Sequence, residues 1–176
     1  KENVFRNHHN RLWHTDADAM MLRLRKHAFR EHGCGQLSLG TLSDEEAFTV
    51  AINQYLGGGL VCVSERFLEL PESRRALMRH VIPACGDPAE PLDYGAPGCP
   101  TLFLTQVNPK CPSLESWWTL AVANWSDYTK QHKIQIPSKL GNNTSFAVFE
   151  FKTKKFLGIK KSDDVLTLSI PAHATR

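Results

Sequence analysis

Gly57-Gly58-Gly59-Leu60-Val61-Cys62-Val63-Ser64-Glu65 is the stretch on which the reading of this chain turns. The glycines stop whatever precedes them, and an unbroken apolar run follows, bounded by Ser64. Because the run does not alternate, it suits a strand buried on both faces, as in a parallel sheet. Upstream, Ser43 and Glu46 have the spacing of a capping box. They open a helix striped by Ala47, Phe48, Val50, Ala51, Ile52, Tyr55 and Leu56, which the glycines end. Downstream, a second helix is expected from about Pro71 to Ile82, with Leu77, Met78, Val81 and Ile82 as its stripe and Pro83 as its stop. Helix and strand succeeding one another at this spacing are the signature of βα units.

Beyond Pro83 the character changes. Pro88, Pro91, Pro97 and Pro100, with Gly86, Gly95 and Gly98, allow little regular structure between 84 and 100. From Thr101 the period becomes two: 118–125, 133–136, 146–151 and 165–170 read as strands separated by turn residues, which argues for an antiparallel sandwich. The expected class is therefore α/β plus all-β, with a boundary near residue 90 dividing 1–90 from 91–176. Two parallel strands cannot close a sheet, and a (β/α)8 barrel needs about 200 to 250 residues. The first part is expected to be the end of a larger α/β domain that begins upstream.

The hydrophobic share of 41% and charged share of 22% are those of an ordinary globular chain, and a net charge of +3 does not call for a nucleic-acid partner. The lysines at 152, 154, 155, 160 and 161 read as a solvated sheet face. No apolar run approaches the roughly 20 residues of a membrane helix, so no membrane partner is expected. No targeting segment opens the chain, and Lys1 in place of Met points to a piece of a longer product. The five cysteines form no CxxC pair, which indicates neither a zinc site nor a thioredoxin-like motif. Mostly reduced thiols are expected, with a disulfide among Cys85, Cys99 and Cys111 as the alternative. His8, His9 and His14 lack acids at helical spacing, so neither a metal nor a cofactor is expected. Asn124-Trp125-Ser126, Asn142-Asn143-Thr144 and Asn143-Thr144-Ser145 match the glycosylation pattern.

The candidate site is Trp13-His14-Thr15-Asp16-Ala17-Asp18. In an extended segment Asp16 and Asp18 share one face. A tryptophan ring can stack on the apolar face of a pyranose while the carboxylates accept hydrogen bonds from its hydroxyls. The alternative is a polar loop with a partly buried ring.

Taken in order, these features resemble the C-terminal portion of the melibiase-like glycoside hydrolases, the α-galactosidase clan. That family carries Trp-x-Asn-Asp-Pro-Asp at the end of its seventh barrel strand, matched here by Trp13 to Asp18, with Thr15 for Asn and Ala17 for Pro. Leu42 to Glu46 resembles its next helix start. Gly58 to Glu65 resembles its Gly-Gly strand ending in Ser-Asp, with Glu65 for Asp, and Leu70 to Pro83 its following helix. Asn124-Trp125, Phe149-Glu150-Phe151 with Leu157-Gly158, and Pro171-Ala172-His173 resemble elements of its closing β-domain, with Lys152 where an aromatic residue is common. Residues between Arg23 and Leu39 resemble an insertion.

The resemblance implies a segment of a retaining glycosidase acting on α-galactosides or related α-glycosides. The nucleophile and acid/base, which must stand about 5 to 5.5 Å apart, are then aspartates on earlier strands upstream, so no catalytic residue is expected in this segment. Trp13, Asp16, Asp18, Ser64 and Glu65 are the expected substrate-binding residues, with Asp16 alternatively bracing the loop and Glu65 alternatively an acid at a helix start. The partners are a carbohydrate substrate and the rest of the barrel. The alternative function is a stand-alone carbohydrate-binding or scaffolding module.

Overall fold

A computed structural model describes residues 11–14, 16–20, 22, 42–63, 65, 67–141 and 144–176. The expected insertion, the His8-His9 pair, Ser64 and the asparagines of the acceptor patterns at 142 and 143 lie outside the described residues.

Strand β1 (Asp16–Met20) precedes helix α1 (Asp44–Gly57), and strand β2 (Leu60–Val63) follows it. The capping box forms: the Ser43 hydroxyl accepts from the Glu46 amide at 3.2 Å, and Glu46 accepts from the Ser43 amide at 2.7 Å. Gly58 closes the helix in the left-handed region at φ 69°, donating its amide to the Tyr55 carbonyl at 3.0 Å. The two strands then run parallel, Asp16 opposite Leu60 and Met20 opposite Val63.

Met20 and Leu22 from the β1 side, Ala47 and Ala51 from α1, and Leu70 and Val81 form the buried core here, with Val61 and Val63 packed against it. Burial of β2 on both faces does not occur among the described residues. Leu60 is exposed and Val61–Val63 are half-buried, because the sheet has two strands and one packed layer of helix and turn.

The second helix is shorter than expected. Helix α2 (Glu72–Leu77) tightens into a 3-10 turn at Met78–His80, and Ile82 is exposed rather than part of a stripe. Pro83 disfavours helical geometry at Ile82, so the run cannot reach the expected end at 82. The side chain buried most completely on α2 is Arg74, not a hydrophobe. Its guanidinium donates to the Leu42 carbonyl at 2.8 Å and pairs with Asp44 at 2.8 Å.

Strands β3 (Glu90–Pro91), β4 (Leu102–Val107) and β5 (Trp117–Val122) form a second sheet in that order. Within the connector Asp93 acts as a staple. Its carboxylate accepts from the amide and hydroxyl of Thr101, both at 2.8 Å, and from the Leu102 amide at 3.1 Å.

Packing divides the chain into two compact units within β5, Lys1–Ala121 and Val122–Arg176. In the second unit β6 (Lys130–Gln135) pairs antiparallel with β9 (Val165–Ile170), and β7 (Ser145–Glu150) with β8 (Lys155–Lys161). Asn124 is buried with its amide nitrogen committed to three carbonyls, so the acceptor pattern at Asn124-Trp125-Ser126 is a core feature and not a glycosylation site. Among the described residues the chain is mostly β with few helices, which is consistent with a β-sandwich-like domain.

Candidate functional site

The parallel unit sets the positions of the candidate residues. Trp13, about half exposed at 52%, precedes β1, and Asp16 stands exposed at its first position. A register shift lies between Asp16 and Ala19: three steps along β1 match two along β2. An extra residue of this kind breaks the strict alternation from which a shared face for Asp16 and Asp18 is expected. Helix α1 holds this segment from one side, since Gln54, itself buried, donates its side-chain amide to the Ala17 carbonyl at 3.3 Å.

Glu65 follows the end of β2, at the C-terminal end of the parallel pair, where barrel enzymes build their sites. Its carboxylate accepts the backbone amide of Leu22, just beyond the end of β1. Glu65 therefore ties two neighbouring strand ends together. Asp16 pairs with Leu60 at the opposite end of the ladder. At about 3.3 Å per residue, that is roughly 15 to 20 Å from the Glu65 end. The described residues thus place Glu65 at the strand ends and Trp13 and Asp16 at the strand starts, and do not gather them into one cluster. A segment read as the end of a strand is instead its beginning, because Met20 and Leu22 lie further along and fill the core.

A shallow groove of about 410 Å³ lies elsewhere, lined by Glu72, Arg75, Met78, Arg79 and Ile82, and contains none of these residues. Its arginines are drawn to Glu72, Arg75 at 3.0 Å and Arg79 at 3.5 Å. Behind the core, Tyr55 meets Cys85 and Thr119, and burial, with the Cys85 thiol beside it, pushes its phenol well above the ordinary value. This keeps Tyr55 neutral and structural. Cys62, Cys85, Cys99 and Cys111 are free thiols, so no disulfide joins the last three. Among the described residues no group of His, Cys, Asp and Glu could hold a metal, and no helix is long and apolar enough to cross a membrane.

No protein-family model and no curated protein matches this chain. Its fold does match solved structures. α-Galactosidase I from Mortierella vinacea superposes with a TM-score of 0.61 at 14% identity, over 80% of this chain and 36% of that one. A protein assigned as an α-N-acetylgalactosaminidase from Bacillus halodurans C-125 gives 0.55 at 13%, over 76% of this chain and 31% of that one. The chain spans about a third of the length of each. It shares the fold of part of these glycosidase structures, a melibiase-like fold that includes the β-rich C-terminal domain.

Proposed function

We propose that this chain is the C-terminal part of a retaining glycoside hydrolase acting on α-galactosides or related α-glycosides. Residues 1–90 are its last βα units and 91–176 its closing β-domain. The observation that carries the reading is the fold shared with two structures named for α-galactosidase and α-N-acetylgalactosaminidase activity over 80% and 76% of this chain. The parallel β1–α1–β2 unit, with Glu65 just past a strand end, supports the barrel portion.

In this reading the carboxylates that attack the anomeric carbon and protonate the leaving oxygen stand on strands upstream. The present segment contributes one wall of the pocket. Ser64 and Glu65 form the rim, Glu65 also holding Leu22. Trp13 and Asp16, at the strand starts and roughly 15 to 20 Å away, stand outside this wall.

Turnover of an aryl α-galactoside tests this. The native gene product is expected to hydrolyse it, and residues 1–176 alone are not. Glu65→Gln in the native product is expected to raise KM about 5- to 10-fold, the worth of one hydrogen bond at the rim. Turnover by residues 1–176 alone would refute the upstream placement of the catalytic acids. A native product inert on α-galactosides and related aryl α-glycosides would refute the enzyme reading.

A second reading, a stand-alone carbohydrate-binding module, draws on Trp117 and Trp118, which are 46% and 37% exposed on β5 where one ring at least is expected in the core. It requires residues 1–176 to bind galactosides by themselves, measurable by calorimetry.

A further inference from the structure

We propose that the β7–β8 hairpin is a docking surface for an anionic lipid bilayer, an inference independent of the glycosidase reading. Along β7, Phe146 and Val148 are half-buried while Ala147 and Phe149 face outward. Ala147 stands opposite Ile159, and Phe149 opposite Phe156. The outward face of the hairpin is therefore apolar. Phe149 is 63% exposed, Phe151 57%, Phe156 50% and Ile159 62%. The Phe149 and Phe156 rings pack on each other at 4.9 Å, which makes a rigid aromatic ridge.

Lys161, opposite Ser145, shares the face of the ridge, and Lys154 and Lys155 are exposed at the tip of the hairpin, whereas Lys160, opposite Phe146, belongs to the half-buried face. The one acid between Ser145 and Lys161 is Glu150, which is largely buried, pairs with Arg176 at 3.1 Å and accepts from the Thr153 hydroxyl. The surface thus offers exposed hydrocarbon with ammonium groups at its tip and edge, and the one carboxylate between Ser145 and Lys161 is engaged. A bilayer bearing anionic headgroups matches both components. Phenylalanine rings enter the boundary between headgroups and acyl chains, while lysine stems lie along it and keep their charges in the headgroup layer. The absence of a membrane-crossing helix among the described residues concerns spanning and leaves surface binding open.

Co-sedimentation of the full chain with vesicles tests the proposal. The chain is expected to bind vesicles of equimolar phosphatidylcholine and phosphatidylserine but not of phosphatidylcholine alone, and to be released by salt. Lys154→Gln with Lys155→Gln should weaken binding ~30-fold, and Phe151→Ser about tenfold. All three residues are exposed, so an unchanged melting curve is the control on folding. No binding to the phosphatidylserine vesicles would overturn the proposal. So would binding that Phe151→Ser leaves intact and that heparin or polyglutamate reproduces, since a simple polycation would then suffice. A dimer that Phe151→Ser dissociates, with no vesicle binding, would assign the face to a second copy of the chain and equally overturn it.

Discussion

Replacing Asn124 by aspartate is expected to unfold the C-terminal unit under conditions where the parent chain is stable. Asn124 is 2% exposed and uses both ends of its amide. The nitrogen donates to the carbonyls of Tyr128 at 2.8 Å, Pro171 at 2.9 Å and Ile170 at 3.0 Å. The oxygen accepts from the Ser126 amide at 3.1 Å and its hydroxyl at 2.6 Å. One side chain therefore ties the approach to β6 to the end of β9. Aspartate has almost the same shape but turns an oxygen toward three carbonyl oxygens, and either carries a buried charge or must take up a proton. The expected loss is about 4 kcal/mol, a large share of the 5 to 15 kcal/mol that holds a domain folded. Asn124→Ala removes the same bonds without the repulsion and should cost about 2 to 3 kcal/mol. Urea unfolding followed by circular dichroism measures both. An aspartate variant no less stable than the alanine variant would contradict the hub role.

Gly58→Ala is the second large effect, through a different mechanism. Gly58 sits at φ +69°, and a Cβ there would stand 2.3 Å from the Asp87 carbonyl carbon, 2.4 Å from its oxygen and 2.6 Å from the Pro88 nitrogen. These are backbone atoms and cannot rotate away. The strand of backbone they belong to is clamped on α1 by the Ala89 amide, which donates to the Leu56 carbonyl at 2.8 Å. The left-handed conformation alone costs an alanine roughly 1 to 2 kcal/mol. With the collision added, a loss of about 3 to 4 kcal/mol is expected. Gly95→Ala is the comparison: its φ is also positive, at +95°, but its Cβ meets nothing within 4 Å. Thermal unfolding should separate the two variants clearly. Equal melting temperatures would contradict the packing of Asp87–Ala89 against the helix end.

The contrast between these two sites shows what a sequence exposes. The end of α1 is legible because Ser43, Glu46 and the glycines act on their own neighbours, so capping box and left-handed stop both form as expected. The strands expected at 118–125, 133–136, 146–151 and 165–170 form as Trp117–Val122, Lys130–Gln135, Ser145–Glu150 and Val165–Ile170. Strand β4 does not show in this way, because Phe103, Leu104 and Thr105 are all buried and leave no period of two. Strand β8 is legible only as a lysine-bearing sheet face, its bounds being blurred by Gly158, next to the register shift at Val148/Phe149.

Side-chain roles that depend on distant partners were hidden altogether. Arg74 is buried against Leu42 and Asp44, more than 25 residues away in sequence, a role that the stripe of Leu77, Met78, Val81 and Ile82 does not foretell. Asn124 reads as a glycosylation acceptor for the same reason, its partners Ile170 and Pro171 being remote. In the candidate site, alternation gives Asp16 and Asp18 a common face only while β1 is regular, and the extra residue in its register removes that guarantee. Glu65 was legible as a residue at a strand end but not as the acceptor for Leu22, a contact that requires knowing that β1 lies alongside β2.

The account rests most heavily on this chain being the closing part of a larger barrel enzyme. The intact mass and N-terminal sequence of the native gene product test that directly. In the proposed reading this chain supplies the last βα units of a barrel of about 250 residues, and at least ~100 further residues then precede Lys1. A native polypeptide of that extent is the predicted result, and one that begins at Lys1 would contradict the account.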